Sequence, residues 1–369
     1  MSFTSHYHTH SVGVDYIDHE LRYVQLVRRS GELIPTLWGT VKCSSTLDVY
    51  ACRTLARLLP TKNIALGIPA ATTVVLPIPL GLPLTRASVL SLLAEQEITP
   101  DRYIIEYTPF KNTDRVLVVH ALAKAVAHEY VSTAKRAGLR PTALVLRSSA
   151  QARALTDHTA TQLIVSYEKE STTISIASYG LSLFSTVLPI GASQLLHLVQ
   201  KASAMNEEEA NKFLFEKGMH DSAFYVPLGD ALTPLVEEIR RIYIYWHDKK
   251  RAQGTEVESI ICTGMFGGIK GLTDFLSSQL RINVASANPW RHCLSFEHTI
   301  PALLEHEAQA YSSAIGLSLG TYCELNLLPE GQLQLLRDRR RVHRVLALIG
   351  TTVLAGALGF AVSLFFGHF

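Results

Sequence analysis

Three short stretches of this 369-residue chain carry the residue types that phosphate and magnesium chemistry needs. The first is Val12-Gly13-Val14-Asp15-Tyr16-Ile17-Asp18-His19-Glu20. The second is Val165-Ser166-Tyr167-Glu168-Lys169-Glu170-Ser171-Thr172-Thr173, and the third is Thr263-Gly264-Met265-Phe266-Gly267-Gly268. A turn that holds phosphate uses glycine to let backbone N–H groups approach, and an acidic residue to hold Mg²⁺ through water. Asp15, Thr263, Gly264, Gly267 and Gly268 are therefore the candidate nucleotide contacts. The surroundings oppose that use. Asp18 and Glu20 follow Asp15, the second turn lacks glycine and has Ser166 at the strand end, and Met265 and Phe266 fill the third. Each like charge near a triphosphate costs on the order of 1 kcal/mol or more at an effective dielectric near 20.

Other chemistries have less material. There is no GxxxxGK[ST] phosphate loop. No Ser/His/Asp or Cys/His grouping has local support, so no catalytic residue is assigned. His6, His8 and His10 lack a carboxylate or cysteine to complete a metal set, and Glu305-His306-Glu307 point to different faces of a predicted helix. The five cysteines show no CxxC spacing, which suits reduced thiols in a cytosolic body.

The elements that must position these stretches repeat. Strands are predicted over residues 11–15, 21–27 and 33–41, then a helix over 46–59, strands at 63–68 and 72–77, and a helix over 86–96. Strands at 103–107 and 115–122, a helix over 125–137 and a strand at 142–146 complete the first half. Three strands open the second half at 162–167, 172–177 and 181–188. Helices over 192–202, 207–217 and 230–251 follow, then strands at 259–262 and 282–285 around a helix at 271–280, and a closing helix over 301–319. Two lobes that each start with a three-strand meander and continue in β/α alternation predict an α/β, two-lobed actin-like ATPase fold. The expected layout is a tail over 1–10, a first lobe over 11–150 and a second lobe over 151–320.

Composition adds a membrane segment. Charged residues are only 18% of the chain and the net charge is +2, which excludes a disordered acidic or basic tail protein and disfavours a nucleic-acid partner. Residues 345–366 hold no charge, and as a helix would span about 33 Å, enough for a bilayer core. Arg337, Arg339, Arg340, Arg341 and Arg344 stand just before it, marking the cytoplasmic side. A C-terminal transmembrane helix in the inner membrane is the expectation, with the N-terminal bulk cytoplasmic and the C-terminus outside. Ala347, Thr351, Ala355, Gly359, Ser363 and Gly367 recur every four positions, a small-residue stripe suited to self-association.

The order and spacing of residues 11–27, 74–83 and 116–140, with His128-Glu129-Tyr130-Val131 and Ala137-Gly138-Leu139, resemble the type IV pilus assembly protein PilM family. Residues 171–180, Leu188-Pro189-Ile190-Gly191, 236–246, 254–289 and 311–319 extend that resemblance. It implies an actin-like cytoplasmic protein of the pilus platform, with an inserted subdomain over about 74–125 on the first lobe and with PilN- and PilO-type partners. The departures at the phosphate turns imply a scaffold with a degraded nucleotide site, no required cofactor, and weak ATP–Mg²⁺ binding or none. The alternatives are an actin-like ATPase gating pilus assembly and the actin-like component of a type II secretion system. Residues 321–344, which hold the peptide Leu325, Asn326, Leu327, Leu328 and Pro329 and then the basic juxtamembrane residues, resemble with the uncharged segment the start of PilN. In that family this leader docks in a groove of PilM. An extended peptide with exposed leucines wants such a groove, and Pro329 opposes helix entry.

Overall fold

The computed structural model describes residues 10–29, 32–44, 47–69, 72–78, 83–110, 113–156, 160–250, 256–293, 305–320 and 325–336. The predicted tail over 1–9, the arginines at 337–344 and the uncharged segment at 345–366 lie outside them. The chain divides into Met1–Leu327 and Leu328–Phe369.

In the first unit, β1 (His10–Ile17), β2 (Glu20–Arg29) and β3 (Glu32–Lys42) form an antiparallel meander. Helix α1 (Val49–Leu58) follows, capped by the Asp48 carboxylate, which accepts from the Ala51 N–H at 2.7 Å. Next come β4 (Asn63–Ile68), β5 (Thr72–Pro77), α2 (Arg86–Ala94), β6 (Tyr103–Phe110), β7 (Thr113–Ala123), α3 (Lys124–Arg136), β8 (Arg140–Leu146) and α4 (Arg147–Leu155). The second meander is β9 (Thr161–Tyr167), β10 (Thr172–Ser178) and β11 (Leu181–Leu188). Then follow α5 (Ser193–Ser203), α6 (Glu207–Glu216), α7 (Tyr225–Lys250), β12 (Ser259–Thr263), α8 (Leu272–Leu280), β13 (Val284–Ser286), α9 (Glu305–Gln309) and α10 (Ser312–Ser318).

The two main sheets share one topology. Their strand orders are β3-β2-β1-β4-β8 and β11-β10-β9-β12-β13, each an antiparallel meander extended by parallel strands. The insert is a separate three-stranded sheet, β5-β7-β6. Its own apolar cluster includes Leu76, Leu117, Val119, Val89 and Leu93, so it is a packed subdomain.

Some boundaries differ from the sequence reading for identifiable reasons. The helix expected from residue 230 starts at Tyr225, because Leu228, Leu232, Leu235, Val236 and Ile239 make one buried stripe. Pro234 is tolerated within it. The closing helix expected over 301–319 is two helices within its described part, and the break falls at Ala310 and Tyr311. The three glutamates 207–209 do start a helix, with Asn206 and Glu209 forming a reciprocal capping box. In the second unit a helical turn occupies 330–336, opened by the Pro329 carbonyl, which accepts from the N–H of Gln332 at 2.8 Å. Proline is pre-set for the start of a helix, so Pro329 opens one here instead of preventing it.

Helices α4 and α10 lie buried against each other and α10 packs on β1. A Cβ at Gly316 would stand 1.8 Å from the Ala150 carbonyl oxygen, so glycine sets how closely these helices cross. The insert meets the second lobe through His120 of β7, which is fully buried and donates from Nε2 to the Ser182 carbonyl at 3.1 Å. Burial pushes the His120 pKa down to about 4.

Two outcomes are expected. Gly316→Ala forces two backbones apart and should cost roughly 1–3 kcal/mol, read as a lower midpoint in denaturant unfolding. For His120, the unfolded chain binds a proton at about 6.5 while the folded one resists until about 4. The stability contributed by this neutral histidine is complete above pH 6.5 and is lost as pH falls across that window. The loss should reach roughly 3 kcal/mol, and a His120→Gln variant, which keeps a donor without titrating, should show a flatter pH profile of unfolding.

Candidate functional site

The site expected between the lobes is built by the turns of the two meanders. The β1–β2 hairpin closes through Asp18 and His19, with φ of 45° and 64°. Two left-handed residues form the tight primed turn whose twist matches the strands, and Asp is among the residues that tolerate it. The glycine expected there is not needed for the turn itself. The β9–β10 turn runs over residues 168–171, closed by the Glu168 N–H donating to the Ser171 carbonyl at 3.0 Å.

Asp15 and Arg22 are cross-strand partners in the first hairpin. Asp15 is fully buried, and both its oxygens are engaged by Arg147, the first residue of α4. Arg147 Nε donates to Oδ2 at 2.7 Å and Nη2 to Oδ1 at 3.3 Å. The same Nη2 also donates to the Tyr16 carbonyl. Asp15 is thus half of a buried bidentate ion pair rather than a free ligand for a hydrated metal or a cap.

The second turn is tied by Glu168, only 3% exposed. Its Oε2 accepts from Arg22 Nη1 at 2.8 Å and from the Met265 N–H at 3.2 Å. Its Oε1 accepts from the Ser166 hydroxyl at 3.2 Å. Gln151 of α4 donates to that hydroxyl at 2.9 Å. The turns also meet directly, since Asp18 Oδ2 accepts from the Glu170 N–H at 3.1 Å. Burial disfavours the charge on Arg22 and on Arg147, but the facing carboxylates of Glu168 and Asp15 outweigh it and raise both pKa values.

Of the glycine-rich stretch, Thr263 is buried and donates to the Gln309 carbonyl at 3.3 Å. Gly264 has φ of 87°, and a Cβ there would lie 2.7 Å from Glu168 Oε1. This glycine admits a carboxylate of the chain itself. Gly267 and Gly268 instead line an open cavity of about 210 Å³ with His220, Lys270, Gly271 and Asp274, a lining that includes neither Asp15 nor Glu168. Gly267 packs on the Thr263 carbonyl and donates to the Gly264 carbonyl at 3.3 Å, so Thr263, Gly264 and Gly267 form one tight loop, while Asp15 is engaged by Arg147. Among the described residues no three His, Cys, Asp or Glu side chains converge as a metal site.

Sequence reasoning missed Arg22, Arg147 and Gln151. The available signal was polarity inside apolar runs: Arg22 sits one strand across from Asp15, and Arg147 interrupts the stretch from Ala143 to Leu155. Glu168 was read as repelling a phosphate, and its pairing with Arg22 was not foreseen.

The segment after α10 returns to the first sheet. The Leu327 N–H donates to the Leu144 carbonyl at 2.8 Å, so the peptide lies on β8, the edge strand of its sheet. Asn326 reinforces this, with Oδ1 accepting from the Leu144 N–H at 3.0 Å and Nδ2 donating to the Thr142 carbonyl at 3.3 Å. Leu325 joins the apolar cluster that contains Phe110 and Val118 of the insert and Leu183 of the second lobe. Leu327 and Leu328 are buried.

Two lobes of matched sheet topology, central helices and hairpin turns facing each other define an actin-like protein. The fold agrees with a solved "PilM-PilN type IV pilus biogenesis complex" at a TM-score of 0.62 and 18% identity, covering 84% of this chain and 97% of that one. Looser likenesses include the ethanolamine utilization protein EutJ from Carboxydothermus hydrogenoformans (TM-score 0.47, 15% identity, 84% and 89% covered). Another is MreB5 of Spiroplasma citri bound to ADP (TM-score 0.45, 10% identity, 84% and 95% covered). No curated protein sequence matches. The family profile of type IV pilus assembly protein PilM matches residues 94–322, more than half of the chain, and the chain belongs to that family.

Replacing Asn326 with alanine removes both side-chain hydrogen bonds to β8 and should weaken docking by roughly 1–3 kcal/mol. Limited proteolysis of the whole chain should then cut near residues 325–329 faster than in the parent. Unchanged cleavage would mean that the segment is held by its leucines alone.

Proposed function

We propose that this chain is a non-enzymatic, membrane-anchored scaffold of the type IV pilus inner-membrane platform, carrying its own PilN-like leader. The observation that carries the proposal is the paired set Asp15–Arg147 and Glu168–Arg22 at the two turns. A nucleotide between the lobes of an actin-like protein needs a free acid for hydrated Mg²⁺ and free backbone N–H groups for phosphate. Here the acid is spent on Arg147, the Met265 N–H on Glu168 and the Glu170 N–H on Asp18. Glu168 takes the anion's place, and no separate anion is required for electroneutrality.

The docking of Asn326 and Leu327 on β8 supports the second half of the reading. β-Strand addition at a sheet edge is a recurrent mode of peptide recognition, with main-chain bonds giving affinity and side-chain pockets specificity. The solved relative is a PilM–PilN complex. In this chain the leader-like segment 325–329 acts in cis, with platform proteins of the PilN and PilO type as further partners. Among the described residues no helix is long and apolar enough to cross a membrane. The anchor we propose is the uncharged segment 345–366 behind its arginines, read from sequence, with the body on the cytoplasmic side and self-association through the small-residue stripe.

Titration of the whole chain with Mg²⁺–ATP is the direct test. No saturable heat is expected below about 1 mM nucleotide, a ceiling near −4 kcal/mol of binding. Low-micromolar affinity, or steady ATP hydrolysis, would overturn the scaffold reading in favour of an actin-like ATPase.

A further inference from the structure

The first lobe presents an exposed cationic face that the nucleotide and peptide sites do not use. On α1, Tyr50, Arg53, Thr54, Arg57 and Leu58 follow helical spacing along one exposed face. Tyr50 is 79% exposed and Leu58 50%, large apolar side chains left in water between arginines. Helix α3 packs beside α1 and ends with exposed Lys135 and Arg136. Both helices lead into adjacent parallel strands, so their C-terminal ends lie at the same end of the sheet. Lys62 and Arg140 join them there, and the Arg140 N–H donates to the Lys62 carbonyl at 2.7 Å.

Lys62 satisfies the end of α1 by donating from Nζ to the Leu59 carbonyl at 3.2 Å. Among the described residues, Arg53, Arg57, Lys62, Lys135, Arg136 and Arg140 form no ion pair. In the second lobe some exposed cations are paired, as in Lys169–Glu207, Arg240–Glu237 and Arg241–Glu238, and the unpaired ones, such as Lys201 and Arg281, lie on different elements. On the two helices the acids are Glu129, exposed midway along α3, and Asp48, held at the opposite end of α1 by Ala51 and Ser44.

We propose that this face is a peripheral contact for an anionic lipid surface. Unpaired cations attract anionic headgroups within a Debye length, and an exposed tyrosine and leucine beside them suit the boundary between headgroups and acyl chains. A nucleic acid would use the cations, and Tyr50 could stack on an unpaired base, but the exposed Leu58 would have no role. The proposal does not depend on residues 345–366 crossing a bilayer, because it concerns the folded body alone.

The test reads this surface locally. The whole chain is placed with nanodiscs of phosphatidylcholine, or of an equal mixture of phosphatidylcholine and phosphatidylglycerol. Amine acylation at Lys135 and glyoxal modification at Arg53, Arg57 and Arg136 are followed by mass spectrometry, with exposed Lys212 of α6 as internal control. Labelling should slow several-fold in the anionic discs only, and high salt or the R53Q/R57Q variant should abolish the difference at Lys135. An unchanged thermal unfolding midpoint of that variant verifies that it is folded. Equal labelling in both discs would overturn the proposal. Protection by duplex DNA in neutral discs, without protection by anionic lipid, would overturn it in favour of a nucleic-acid surface. The ATP titration above can fail without touching this result, and the reverse holds too.

Discussion

Two guanidinium groups buried where the lobes meet constrain the rest of this protein. Removing Arg22 and Arg147 from water costs several kcal/mol each unless good geometry and further hydrogen bonds compensate. Glu168 and Asp15 supply the opposite charges, and the carbonyls of Ala310 and Tyr16 take further N–H bonds. Each pair joins segments more than a hundred residues apart: Asp15–Arg147 ties β1 to α4 within the first lobe, and Arg22–Glu168 forms only when the second lobe packs against the first. Losing one partner would leave an uncompensated buried charge, a far larger penalty than the pair's net worth. The network therefore specifies how the two meander turns face each other.

That specification has a chemical consequence. The same turns in a nucleotide-binding relative must stay open to an anion and a cation that come and go. Here both charges are internal and permanent. Gly264 keeps the left-handed, side-chain-free backbone of a phosphate-approaching residue, yet the group close to it is Glu168 of the same chain. The backbone at Gly264 is therefore shaped around a carboxylate of the same chain.

The edge strand β8 obeys a similar logic. An exposed strand edge is a template for pairing, and proteins cover it or pair it. Residues 325–327 occupy part of this edge, and Asn326 copies the donor and acceptor of a peptide group so that two β8 backbone groups are satisfied by one side chain. Leu325 and Leu327 add burial on either side of that contact, each able to contribute about 1.5–3 kcal/mol before ordering costs.

The sequence by itself determined the element order, because each meander and helix carries its own period. β4 and β5 were legible to the residue, whereas the insert was expected only from the family resemblance. The sequence also shows acids and little glycine at the two meander turns, since glycine and charge are read directly from residue type. Boundaries failed where long-range burial overrides local signals, as in the early start of α7 and the break before α10. Tertiary structure alone decided what the odd charges do. Asp18, Glu168 and Arg147 look locally like defects, and only long-range packing, between the lobes for Asp18 and Glu168 and within the first lobe for Arg147, brings each within hydrogen-bond distance of its partner. Pairing depends on which surfaces meet, and hydrophobic periodicity within a strand or helix carries no record of that.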